Sequence, residues 1–209
     1  MPSHSTPAGI VTEYFETLRW TEQLAQTSNS LSETRRAAAM SVIYAVTAVE
    51  VFLNLWFRVY ANEHTAQDVQ AEFEQSLRLK VGLDQKLSKW PMLLLKKKLD
   101  LKAGPSGALI ALKAKRNSIV HFESTNDTIH ASNIIIHGLA DTSEYDSLSA
   151  MSAVEALATT EAFVLEIFRL AGFDDKTCAQ AQAVWIGKQT ASSSIDRGPA
   201  PWIAPHVTC

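Results

Sequence analysis

The stretch AAAMSVIYAVTAVEVFLNLWF, Ala37 to Phe57, limits what this chain can become more than any other. About twenty residues of this kind form a helix long enough to cross a bilayer or to run through the middle of a soluble domain. Glu50 and Asn54 decide between the two, because residues four apart share a helical face and a carboxylate turned toward lipid is costly. The stretch therefore reads as the nearly surrounded central helix of a soluble bundle. Glu50 must then be paired or hydrated, since an unpaired buried carboxylate is expensive. Its expected partner is Asn54 or a basic residue near Arg116, and the other reading is that Glu50 helps to position Arg116 or His121.

Helical periodicity recurs along the rest of the chain. TEYFETLRWTEQLAQ places Phe15, Leu18 and either Trp20 or Leu24 on one side, with Thr12 as the cap. The central helix starts at Ser32 or Glu33 and runs through Ala61. One or two shorter helices follow before Pro91, broken at Gly82. GPSG then marks a turn, and Ser106 caps a helix to about Phe122. Turn-formers surround the β-branched run Asn133 to His137, which predicts an extended loop or a brief hairpin. A long alanine-rich helix spans Ser147 to Leu170 with Gly172 at its end, and a short helix covers Asp174 to Trp185. This pattern predicts an all-α, antiparallel bundle of four to six helices. Residues 12–186 form the domain, with a basic insertion around 78–105, between flexible tails at 1–11 and 187–209.

Hydrophobic residues make up 46% and charged residues 20%, so a substantial core is available. The two cysteines, Cys178 and Cys209, make no disulfide framework, and MPSHSTPAGI has neither the basic start nor the apolar run of a signal peptide. A reducing cytoplasm is the expected compartment. The net charge of −3 hides a segregation: Arg78 to Arg116 holds eleven cations against Asp84 and Asp100, a local charge of +9. This is the electrostatic footprint of a polyanion-binding face, or a solvated lysine-rich surface.

That basic segment runs into KRNSIVHF, Lys115 to Phe122. Asn117 and His121 share a helical face, and Arg116 lies about 140° round from His121 at roughly 100° per residue. A helix ending near His121 would still let both converge on one ligand. Arginine offers a planar cationic fork for phosphate oxygens, and histidine exchanges a proton near neutral pH. Together they suit cleavage of RNA without a metal or other cofactor. A base takes the 2′-hydroxyl proton, that oxygen attacks the adjacent phosphorus, and the guanidinium stabilises the developing charge. Ile119, Val120 and Phe122 are left to anchor the segment. The competing view is the end of a core helix whose polar residues face water. Lys113 and Lys115 either contact the RNA backbone or form a solvated face.

Other chemistry is poorly supported by the sequence. His130 and His137 lack the surrounding ligand spacing of a metal site, Ser118 has no acid or second base at a telling distance, and GPSG lacks the length and lysine of a phosphate loop. Trp20, Trp56 and Trp90 are expected to pack, Trp90 being the one whose basic setting suits base stacking.

RNSIVH, Arg116 to His121, resembles the RxxxxH signature of the HEPN domain family in its RNxxxH form. SVIYAVTAVEVFLNLWF is similar to that family's long early helix, with Glu50 and Asn54 as its acidic and polar residues. The resemblance covers roughly residues 12–172, and only the six-residue motif is sharp. It implies a metal-independent endoribonuclease, often a toxin or defence component. Arg116 and His121 would be catalytic, Asn117, Glu50 and Asn54 would support them, and a homodimer would bring two motifs to one cleft. Many such toxins pair with a nucleotidyltransferase-type antitoxin. The basic insertion and the long loop after His121 depart from a minimal member of the family. The runner-up is a bundle of the same kind that no longer cleaves and acts as an RNA-binding or protein-interaction module.

Overall fold

The computed structural model describes residues 5–121, 128–131, 134–137 and 140–188. The chain opens with a helical hairpin, α1 (Pro7–Thr27) and α2 (Leu31–His64), whose short link makes them antiparallel neighbours. α3 (Gln67–Arg78) and α4 (Leu83–Trp90) follow, and α4 passes directly into a π-helical turn, Pro91–Leu95. α5 (Gly104–Val120) carries the motif. A two-stranded antiparallel hairpin, β1 (Thr128–Ala131) and β2 (Ile134–His137), precedes the one-turn α6 (Ser143–Asp146), then α7 (Ala150–Leu170) and α8 (Asp175–Ile186). The fold is all-α apart from this hairpin.

Eight α-helices among the described residues exceed the expected four to six. Five elements, α1, α2, α5, α7 and α8, make the bundle; α3 and α4 are the two shorter helices expected on either side of Gly82, and the one-turn α6 is the piece that was not expected. α1 also begins earlier than the expected cap at Thr12. Thr6 accepts the Gly9 N–H at 3.0 Å and Pro7 fills the first turn, so the start was encoded in what read as tail. Ala8 and Val11 are buried there, which moves residues 7–11 from the expected flexible tail into the domain. Thr12 instead donates to the Trp185 carbonyl at 3.2 Å and ties α1 to α8. The expected tail from residue 187 lies outside the described residues except for Gly187 and Lys188.

α2 is the axis of the core. Its Phe52 packs edge-on to Phe168 of α7 at 5.6 Å and to Trp185 of α8 at 6.2 Å, and Phe57 meets Trp90 at 6.0 Å. Each such ring contributes on the order of 1.5–3 kcal/mol through burial. α2 is long and apolar enough to cross a membrane, with a mean hydropathy of 1.7 over its most apolar window, and 56% of that window is buried inside the bundle. The burial is one-sided. Met40, Ile43, Tyr44, Thr47, Glu50, Val51, Asn54, Leu55 and Arg58 recur three or four apart, and none is fully buried, so they form a half-open stripe along the helix.

The start of α5 is fixed by close approach rather than by a capping side chain. Ser106, expected as the cap, is buried in the first turn and donates to Glu166 of α7 at 2.6 Å. A Cβ at Gly107 would lie 2.9 Å from the Lys102 carbonyl carbon, so only glycine lets the preceding loop pack this closely.

Candidate functional site

α5 holds the motif at its C-terminal end. Arg116 and Asn117 are half-buried and His121 is exposed. The His121 N–H donates to the Asn117 carbonyl at 2.8 Å, closing the last turn, while its φ of −117° and ψ of 74° take the chain out of the helix. The helix thus ends at His121, the condition under which Arg116 and His121 can face one ligand. Among the described residues, the side chains of Arg116, Asn117 and His121 have no hydrogen-bond or ion-pair partner. Ile119 anchors the segment in the core, but Val120 is 44% exposed and turns outward; Phe122 lies outside the described residues.

Of the expected support residues, Glu50 is engaged elsewhere. Glu50 accepts an ion pair from Lys86 of α4, Nζ to Oε1 3.7 Å, and not from Asn54, Arg116 or His121. The physical reason is packing: α4 lies against α2, and Lys86, 7% exposed, has its ammonium 5.6 Å from the centre of the Trp90 ring. Asn54 Oδ1 is a buried acceptor with no donor among the described residues. Lys113 pairs with Asp84 of α4 at 2.5 Å and Lys115 with Glu144 of α6 at 3.5 Å, so both cations brace α5 against its neighbours. Such exposed pairs contribute about 0.2–1 kcal/mol and can exchange a carboxylate for a phosphate.

The tryptophans divide differently from expectation. Trp56 and Trp90 are buried, and Trp90 Nε1 donates to Ser76 Oγ at 2.9 Å, which leaves no open face for a base. Trp20 does not pack: it is 57% exposed on the outer side of α1, as Leu24 is at 37%. In the hairpin, Thr128 pairs in register with His137 and His130 with Ile135. Among the described residues no three or more His, Cys, Asp or Glu side chains gather where a metal ion would bind.

Lys86 was not singled out by the sequence as a site residue. Its only signal was membership of the basic run, which treats all eleven cations alike. The π-helical turn was also missed, because Pro91 reads as a break rather than as a continuation.

No family model, curated protein or solved structure matches this chain.

Proposed function

We propose that this protein is a HEPN-like, metal-independent endoribonuclease of the cytoplasm, acting as a homodimer in a toxin or defence system, with an antitoxin as a possible partner. The observation that carries the reading is the end of α5, where RNSIVH combines a half-buried Arg116 with an exposed His121 at the residue where the helix stops. His121 exchanges the proton with the ribose 2′-hydroxyl or the leaving oxygen, and Arg116 stabilises the charge on the phosphate. Asn117 lines the same cleft. The half-open stripe on α2, rich in Met40, Tyr44, Val51 and Leu55, supports pairing of two subunits across that helix.

A second reading, a non-cleaving RNA-binding or protein-interaction module, is favoured by one specific observation: Glu50 belongs to Lys86 rather than to the motif. The two readings part in a single assay. Labelled single-stranded RNA is incubated in EDTA with the wild type, Arg116→Ala and His121→Ala. EDTA-resistant cleavage to 2′,3′-cyclic phosphate ends, lost in both variants, supports the nuclease. Binding without cleavage supports the module, and RNA behaviour untouched by either substitution sinks both.

A further inference from the structure

The one-turn α6 holds two cations of the bundle at once. Its Glu144 pairs with Lys115 of α5, Nζ to Oε1 3.5 Å, and its Asp146 with Arg35 of α2, Nη1 to Oδ1 3.1 Å. None of its four residues is fully buried. In both pairs the carboxylate is the more exposed partner: 42% for Glu144 against 28% for Lys115, and 52% for Asp146 against 30% for Arg35. The acidic side chains lie over the cations, and they can return to water at less cost than the cations can lose an anion.

The hold on Arg35 is incomplete. Arg58 shows a guanidinium with a committed partner, its Nε and Nη2 reaching the two oxygens of Glu74. Arg35 makes one bond to Asp146, whose other oxygen accepts from Thr142 Oγ1 at 2.7 Å. The Arg35 Nε–H is buried with no acceptor among the described residues. A rotation that releases Asp146 would let Nε and one Nη turn to an acceptor with two free oxygens, which a phosphate supplies. Exposed pairs of this kind each shift an equilibrium by no more than about fivefold.

Lys115 is the residue before Arg116, and it lines one pocket with Ser152 of α7. α6 leads into α7, so it sits at the end of the bundle where α5 and the motif stop. We propose that Arg35 and Lys115 contact the backbone phosphates of RNA there, and that Glu144 and Asp146 occupy both cations as internal competitors until RNA displaces them. The inference rests on the ribonuclease reading for its choice of ligand. It adds Arg35 to the RNA-contacting residues and gives α6 a restraining part in the same site.

The test uses the full chain carrying His121→Ala, so that RNA survives, and a fluorescein-labelled single-stranded uridine-rich RNA of twelve nucleotides. Glu144→Gln/Asp146→Asn should tighten binding by roughly 2- to 25-fold, the combined weight of two exposed pairs. Glu13→Gln/Glu16→Gln removes the same charge from exposed positions of α1 that have no ion pair among the described residues, and should give a smaller gain. Arg35→Gln/Lys115→Gln should weaken binding by about tenfold or more and make the salt dependence shallower by about 1.4 in log–log slope, the share of two phosphate contacts on a single strand. In that background the α6 changes should add no more than the α1 changes do. If the α6 variant gains no more than the α1 control, or if Arg35→Gln alone leaves affinity and salt slope as they were, the assignment is overturned while the nuclease reading stands. Absence of RNA binding by both the wild type and the His121→Ala protein would overturn the two together.

Discussion

Lys86 of α4 reaches back to Glu50 of α2, its Nζ 3.7 Å from Oε1, while the Trp90 ring covers the ammonium from 5.6 Å away. The two partners are unequal: the Lys86 side chain is 9% exposed and the Glu50 side chain 32%. Removing the carboxylate therefore strands a buried cation, whereas removing the cation leaves a carboxylate that water can reach. Glu50→Gln should cost about 2 kcal/mol and Lys86→Met about 1 kcal/mol, after discounting the buried-pair range for the exposure of Glu50. Urea denaturation of both variants checks the order. Equal losses, or a larger loss in Lys86→Met, would show that the pair is not the asymmetric element described.

His121→Ala should lower the initial rate of RNA cleavage by about 10²–10⁴-fold, the range for a lost general acid or base. Its exposed position keeps the stability change within about 0.5 kcal/mol. Arg116→Lys should also fall well short of wild-type cleavage, because a lysine ammonium keeps the charge but not the bidentate fork. Rates and melting curves measured on the same preparations separate a chemical defect from unfolding.

Val51→Asp places a carboxylate on the half-open stripe of α2, and Met40→Asp does so at a position already 38% exposed. Both should shift the protein from dimer to monomer by light scattering, with helical circular dichroism retained. RNA cleavage should fall with the dimer fraction. A dimer that persists in both variants would move the subunit contact to another face.

How far these sites could be read from sequence depended on what each signal was made of. α2 was legible because its apolar run is long and its polar interruptions share a face; α7 was legible because Gly172, at φ +93°, marks its end. α1 was placed too late because Thr6 and Pro7 look like tail residues until Ala8 and Val11 are seen to be buried. Arg116, Asn117 and His121 stood out through local spacing alone. The partner of Glu50 did not, since an ion pair between residues 50 and 86 is a tertiary contact with no local pattern. Trp90 packs as expected, against Phe57 and Phe73; Trp20 was the tryptophan read wrongly, since the spacing that put it on the apolar side of α1 leaves it 57% exposed.

The acid limb of stability should depend on Asp174 and Asp141. The Thr177 side-chain hydroxyl, then its backbone N–H, hold the Asp174 carboxyl below its ordinary value of 3.8. The Ser143 backbone N–H, then its hydroxyl, do the same for Asp141. A carboxyl with a depressed folded-state pKa adds stability that is present above its unfolded value and disappears as pH falls through the folded one. The Asp141→Asn/Asp174→Asn double variant should therefore lose less stability than wild type when pH is lowered through and below 3.8. Thermal melts across that window provide the comparison.

Gly107 sits nine residues before Arg116 on the same unbroken helix, about 13–14 Å along its axis. A straight helix pivoting at one end is a lever. A single methyl group at Gly107, pressing on the Lys102 carbonyl, would tilt α5 and swing Arg116 and His121 sideways without touching either. A screen for loss of activity would then score a position remote from the chemistry as if it were part of it. Its signature would be a variant that still binds RNA and still melts cooperatively, yet cleaves slowly because its reacting groups arrive out of line.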